Sequence, residues 1–177
     1  ADVHRILNRW LPGDIRVLSV DVRAPPFHAR HSARAKAYTY AVHTGGLCSP
    51  FDGPYVWTCG GALSVGAMRE AAARFVGTQD MAAFAANAGR ADEPTVKTLY
   101  RVEVIERPPC LFVVVVGDSF LYKMVRSMVG YLVLVAGRRP GRRITELDAI
   151  LAGRTRPSEI VTAPAQGAGQ QAERRGD

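Results

Sequence analysis

Two stretches of the sequence combine residue types that could bind or transform an anionic, aromatic ligand. Residues 27–40 end in an alternating pattern that carries two tyrosines, Tyr38 and Tyr40, behind four basic side chains. Those side chains are Arg30, His31, Arg34 and Lys36. Residues 120–130 predict an apolar helix in which one arginine, Arg126, stands among residues that should face a core. Aromatic rings beside guanidinium groups suit unstacked bases and phosphates, and an arginine on an apolar helix usually requires a carboxylate partner.

The two tyrosines allow two interpretations. Side chains alternate along a strand, so Tyr38 and Tyr40 should lie on the same face. Most strand tyrosines are core or rim aromatics whose hydroxyls are hydrogen-bonded, and the local pattern alone favours that role. The alternative is a platform on which a base stacks.

Arg126 also allows two interpretations. On the predicted helix, Tyr122 and Lys123 stand four and three positions before Arg126, so these polar groups should cluster on one side. The arginine could then extend its charged end to the helix edge, as such residues commonly do. Alternatively, its guanidinium pairs with a carboxylate in a binding or catalytic site.

The remaining pattern predicts the elements that must position these residues. We predict helices over residues 3–10, 64–75 and 144–151, and a helix around Arg126 capped by Asp118 or Ser119 and ending near Gly137. Strands are predicted over 15–22, 33–42 and 55–58, with a hairpin of 99–105 and 111–116. The polar tail, residues 164–177, is predicted to be disordered. The fold class is therefore α+β, with a mainly antiparallel sheet and helices on one face.

The amino-acid composition limits the classes of binding partner and the cellular compartment that can be expected. The 177 residues carry a formal net charge of +7, which favours a polyanionic partner such as nucleic acid. Three cysteines without metal-site spacing indicate reduced thiols. This favours the cytoplasm, or an organelle such as a plastid or mitochondrion. No apolar run reaches the length of a membrane span, so no membrane partner is expected.

Both stretches resemble motifs of the TruA-type tRNA pseudouridine synthases. Residues 27–40 resemble the family's FHAR–SA–Y-x-Y motif, and His31 departs from it. Residues 120–130 resemble its F-x-x-x-M-V-R-x-x-V-G helix motif. Weaker matches follow in the family's order, at residues 7–15, 77–84, 95–98 and 162–167. The resemblance implies that residues 1–163 are the C-terminal half of such a synthase, with a pseudouridine synthase-like half-fold.

The resemblance also implies a chemistry, the isomerisation of uridine to pseudouridine in the anticodon arm of tRNA. Tyr38 would stack on the target base and assist proton removal, and Arg126 would hold a nucleophilic aspartate charged and oriented. The candidate RNA-binding residues, besides Tyr38, are His28, Arg30, Arg34, Lys36 and Lys123. The family implies tRNA as partner and a homodimer, with no metal and no organic cofactor.

One family motif has no counterpart in the sequence. The nucleophilic aspartate belongs to a G-R-T-D-x-G-V-H loop, which Asp2-Val3-His4 does not match. We therefore expect the chain to be an excerpt that lacks the nucleophile and one strand, and to be inactive alone. The alternatives are a non-catalytic RNA-binding module, from a truncated or degenerate paralogue, and a basic α+β domain with no role in nucleic-acid binding.

Overall fold

The computed structural model describes residues 2–29, 32–86, 93–137 and 140–173, with the backbone alone for 140–143 and 170–173. It divides into two compact units, residues 1–32 and 33–177. In the first unit, helix α1 spans Val3–Trp10, the predicted bounds. The Asp2 side chain caps it by accepting a hydrogen bond from the Arg5 amide at 3.2 Å.

The predicted strand over residues 15–22 is wrong. The segment is held to α1 at Arg16 and Val17. The Asn8 side chain donates to the Val17 carbonyl at 2.8 Å and accepts from the Val17 amide at 2.9 Å, and Arg16 Nη1 donates to the Asn8 carbonyl at 3.3 Å. Leu18 and Val22 are 89% and 99% exposed. A strand needs a neighbour to bind its amides and carbonyls, and no described segment pairs with this one.

The second unit contains six strands and three helices in its described part. The strands are β1 (Ala35–His43), β2 (Trp57–Thr58), β3 (Gly77–Asp80), β4 (Val96–Arg107), β5 (Cys110–Gly117) and β6 (Ala168–Glu173). The helices are α2 (Val65–Arg74), α3 (Met124–Ala136) and α4 (Pro140–Gly153). Ser64 caps α2 as predicted, because its hydroxyl accepts from the Ala67 amide.

The strands form one mainly antiparallel sheet, which confirms the predicted fold class. Its order is β2-β1-β5-β4-β3, and β6 pairs antiparallel with β1. Strand β1 pairs with β5 from Lys36 opposite Gly117 to His43 opposite Cys110. The short strand β2 pairs parallel with the end of β1. The predicted hairpin is confirmed as β4 and β5, joined at Pro108-Pro109.

The helices of this unit pack on one another and on the sheet. Helix α2 contacts α3, α4 and β4, and α3 contacts β1. The core between these layers includes Tyr40, Phe75, Phe84, Met124, Met128 and Leu132, all fully buried. Burying such a side chain stabilises the fold by roughly 1.5–3 kcal/mol. This core therefore fixes β1 against α3, which both contribute residues to it.

Helix α3 begins later than predicted. Lys123 precedes it with a left-handed backbone, φ 56°, and no side chain caps its first turn. Asp118 instead accepts from the Thr98 amide and the Ser119 hydroxyl. The Asp118 carboxylate therefore binds a backbone amide of β4 and does not cap helix α3. Tyr122 and Lys123 are outside the helix, so the predicted polar side with Arg126 is not formed.

The C-terminal part also differs from the prediction of a disordered polar tail over 164–177. Residues Ala165–Gly167 form one 3-10 turn, and β6 follows with a register from Ala168 opposite Tyr40 to Glu173 opposite Ala35. The strand forms although its side chains are small or polar, because the edge of β1 supplies partners for its backbone groups. Residues 174–177 lie outside the described part of the chain.

Candidate active site

Tyr38 lies half-buried on the face of β1 that contacts the core. Its ring packs edge-on against Phe120, with ring centroids 4.9 Å apart and planes at 78°. Burial raises the pKa of Tyr38 above its usual value, so the hydroxyl is protonated at neutral pH. The ring is thus held by packing on one side while part of its surface remains accessible.

Tyr40 has the structural role that the local pattern favoured. It is fully buried, and its hydroxyl donates to the Pro164 carbonyl at 2.6 Å. A Cβ added at Gly167 would lie 2.6 Å from the Tyr40 ring, so only glycine permits this approach. Burial raises the pKa of Tyr40 to about 12, and the nearby positive charge of Arg126 acts in the opposite direction. Tyr40 therefore fastens the segment before β6 to the sheet.

We expect Tyr40→Phe to destabilise the fold in a pH-dependent way. The change removes the donor to the part-buried Pro164 carbonyl, which should cost about 0.5–1.5 kcal/mol at pH 8. Because the folded pKa, about 12, exceeds the unfolded value near 10, the stabilisation is complete below pH 10. It is lost as pH rises through 12. Guanidinium unfolding between pH 8 and 12 should show the difference between wild type and variant shrinking. A constant difference would contradict this assignment.

Arg126 is half-buried in the first turn of α3 and is bound to the segment that precedes β6. We call residues 160–164 the strap. The Arg126 Nε donates to the Ala163 carbonyl at 2.6 Å, and the Ala163 amide donates back to the Arg126 carbonyl at 3.0 Å. These two bonds join the side chain and the backbone of one residue to the same residue of the strap. The orientation of the guanidinium is therefore set by the strap.

The strap lies directly on α3 because Gly130 has no side chain. A Cβ at Gly130 would overlap the Val161 carbonyl oxygen and lie 2.9 Å from the carbonyl carbon. This contact could not be predicted from the sequence, because residues 130 and 161 are far apart and no local pattern relates them. The close approach places Ala163 within reach of Arg126.

No carboxylate in the described part of the chain forms an ion pair with Arg126. The Asp80 carboxylate, which is mostly buried, is bound to Arg154 Nε at 3.0 Å and accepts from the Ala82 amide. Within the described residues, Arg126 uses only its Nε as a side-chain donor. A guanidinium carries five N–H donors in a planar fork. The terminal nitrogens of Arg126 could therefore bind a carboxylate from outside these residues.

The other predicted RNA-binding residues differ in their exposure and in their position in the fold. Lys36 is half-buried and shares the Tyr38 face of β1 by alternation, and Arg34 is exposed just before the strand. The Lys123 Nζ lies 5.0 Å from the centre of the Tyr122 ring. His28 belongs to the unit of residues 1–32, where its amide donates to the Ser32 hydroxyl. Arg30 and His31 lie outside the described residues.

One further residue at this site was missed by the sequence analysis. Arg156 donates hydrogen bonds to the strap and to α3. A single arginine in a loop has no periodicity and gave no signal. In the described part of the chain, no group of three or more His, Cys, Asp or Glu side chains is placed to hold a metal ion. No described helix is long and apolar enough to cross a membrane.

Comparisons with known proteins agree with the motifs. A family model described as tRNA pseudouridine synthase matches residues 71–171, which include Arg126, the strap and the first four residues of β6. Similar proteins include tRNA pseudouridine synthase A 1 of Protochlamydia amoebophila, 38% identical over 167 residues, covering 93% of this chain and 64% of that protein. Another is tRNA pseudouridine synthase A of Syntrophotalea carbinolica, 40% identical over 162 residues, covering 91% of this chain and 63% of that protein. The chain thus spans less than two thirds of these relatives. It belongs to the tRNA pseudouridine synthase family.

Proposed function

We propose that this chain forms the tyrosine- and arginine-bearing half of a tRNA pseudouridine synthase, an isomerase that converts uridine to pseudouridine in the tRNA anticodon arm. The observation that carries the proposal is the state of Arg126. Its guanidinium is oriented by Ala163 and has no acidic partner among the described residues. A fold that keeps such a cation in a half-buried position has a use for an external carboxylate.

The reaction assigns a role to each residue of the site. An aspartate, supplied from outside the 177 residues, attacks the nucleoside, and the base detaches, rotates and rejoins the ribose through carbon. Arg126 keeps that aspartate ionised, because an adjacent cation lowers a carboxylate pKa. The base must leave its stack to reach the aspartate. Tyr38 stacks on the flipped base, and its hydroxyl assists proton removal from the ring carbon.

The basic residues around this site supply affinity for tRNA. Arg34, Lys36 and Lys123 are the candidates for phosphate contacts, which fix the RNA without reading its sequence. His28 and Arg30 are proposed to act with them. The complete protein is proposed to work in the cytoplasm as a homodimer, with no metal or organic cofactor needed for the isomerisation.

The proposal predicts different behaviour for the chain and for the complete protein. The complete protein, which includes the aspartate loop, should release tritium from uridine labelled at C5 in tRNA. The 177-residue chain should bind the same tRNA weakly and release none. Its affinity should fall steeply with salt, because each neutralised phosphate releases counterions.

The matched control is an unlabelled polyanion without bases, such as heparin, which should compete at low salt only. Tritium release by the 177-residue chain alone would show that the nucleophile lies within it and overturn the proposed division of the site. An inactive complete protein that still binds tRNA would favour the non-catalytic RNA-binding module instead.

A further inference from the structure

Arg156, in the loop after α4, is bound only to neutral groups in the described part of the chain. Its Nη1 donates to the Ser127 hydroxyl at 2.9 Å and to the Ala85 carbonyl at 3.4 Å. Its Nη2 donates to the Ile160 carbonyl at 2.8 Å and to the Thr162 hydroxyl at 3.1 Å. The four acceptors come from three separate segments. One guanidinium therefore joins three segments, which are the loop at Ala85, helix α3 and the strap.

Joining segments through a partly buried cation costs desolvation free energy. Burial lowers the pKa of Arg156, because its charge is partly removed from water without an acid to compensate it. Even buried ion pairs can often be replaced by apolar residues without loss of stability, and Arg156 donates to neutral acceptors. The planar guanidinium of Arg156 presents several donors in a fixed geometry. The presence of an arginine here is therefore better explained by the groups that it positions than by its effect on stability.

The acceptors flank the bond that orients Arg126. Ser127 follows Arg126 on α3, and Thr162 precedes Ala163 on the strap. Their hydroxyl oxygens are 3.5 Å apart, and Arg156 donates to both. Arg156 therefore holds Ser127 and Thr162 in place. These are the residues next to Arg126 and Ala163, whose side chain and carbonyl form the orienting hydrogen bond.

We propose that Arg156 is a positioning residue for the candidate active site, which holds the strap against α3 so that Ala163 orients the Arg126 guanidinium. The inference rests on the proposed function. Arg156 itself touches neither base nor nucleophile. Lysine at this position keeps the charge but cannot donate to four acceptors in a plane, so the conservative change separates charge from geometry.

The test compares the complete wild-type protein with Arg156→Lys, Thr162→Val and Arg69→Lys. Thr162→Val keeps the side-chain shape and removes one acceptor of Arg156. Arg69 is the matched control, because its Nε donates to the Val104 carbonyl at 3.1 Å, away from the strap. Turnover and KM for tRNA, the pH dependence of kcat and the melting temperature are measured for each protein.

Arg156→Lys should lower kcat roughly 10- to 100-fold, the effect of a small misplacement in a catalytic site, with KM for tRNA little changed. The acid limb of kcat should move to higher pH, because a loosely held Arg126 lowers the aspartate pKa less. Thr162→Val should give the same changes at smaller size, and Arg69→Lys none of them. In the 177-residue chain, proton NMR should show the Arg126 Nε–H protected from exchange in wild type and unprotected in Arg156→Lys.

A lowered melting temperature with unchanged kcat and an unchanged acid limb would overturn the inference and leave Arg156 a structural residue. If Arg156→Lys does not fold, unchanged kcat and pH dependence in Thr162→Val have the same meaning. An inactive wild type refutes the proposed function. The NMR comparison remains valid in that case, and unchanged Arg126 Nε–H protection in Arg156→Lys would overturn the positioning role by itself.

Discussion

Tyr38→Phe in the complete protein should leave tRNA affinity largely intact while turnover falls on the order of 10²-fold or more, the contribution of a positioned proton-transfer group. Phenylalanine keeps the face that stacks on a base and the edge-on contact with Phe120. Only the hydroxyl is lost, and this is the group proposed to assist proton removal from the ring carbon. Filter binding and tritium release on the same preparation measure the two quantities.

Tyr122→Phe is the matched control for this change. Tyr122 is 58% exposed and lies outside both β1 and α3, so its hydroxyl should be dispensable for turnover. Equal losses of affinity and turnover in Tyr38→Phe would identify Tyr38 as a structural residue. Near-normal turnover would mean that its hydroxyl has no chemical role.

Gly130→Ala should destabilise the 177-residue chain by about 3 kcal/mol, the upper part of the usual range for overpacking. Its Cβ would meet the backbone carbonyl of Val161, which cannot move aside as a flexible side chain would. Either α3 or the strap must shift, and Arg126 then loses its bond to Ala163. For a chain of this length the melting temperature should fall by roughly 6–12 °C.

Gly66→Ala tests the opposite expectation on another helix. Gly66 lies in α2, and a Cβ there would meet nothing within 4 Å. Alanine is the better helix former, so Gly66→Ala should stabilise by roughly 0.5–1 kcal/mol. Unfolding in guanidinium compares both variants with wild type. A Gly130→Ala protein as stable as Gly66→Ala would show that the strap does not lie on α3 as described.

The elements that follow local rules could be predicted from the sequence. A β-branched run on each side of Pro108-Pro109 predicted the hairpin, and the Ser64 hydroxyl marked the start of α2. The start of α3 could not be predicted, because Asp118 and Ser119 are good caps by type. Which partner an acid binds is decided by tertiary structure, and here Asp118 binds Thr98.

The parts of the site that depend on distant residues were beyond local patterns. Strand β6 has the composition of a linker and forms only because the edge of β1 is open to it. The contacts of the strap and of Arg156 with α3 join residues 29 to 37 apart in the sequence, so no periodicity reveals them. The family motifs predict Tyr38 and Arg126 as site residues, but no pattern in the sequence indicated the residues that hold them in place.

The position of the strap and β6 near residue 170 has a consequence for protein synthesis. A chain leaves the ribosome from its N-terminus, and sequence-local pairs such as β4 and β5 can form while translation continues. A nascent chain that ends before residue 160 already contains Tyr38 and Arg126, but it has neither Ala163 to orient the arginine nor β6 to cover β1. The topology therefore delays assembly of the candidate site until β6 has been synthesised, and a product that terminates before residue 160 would lack it.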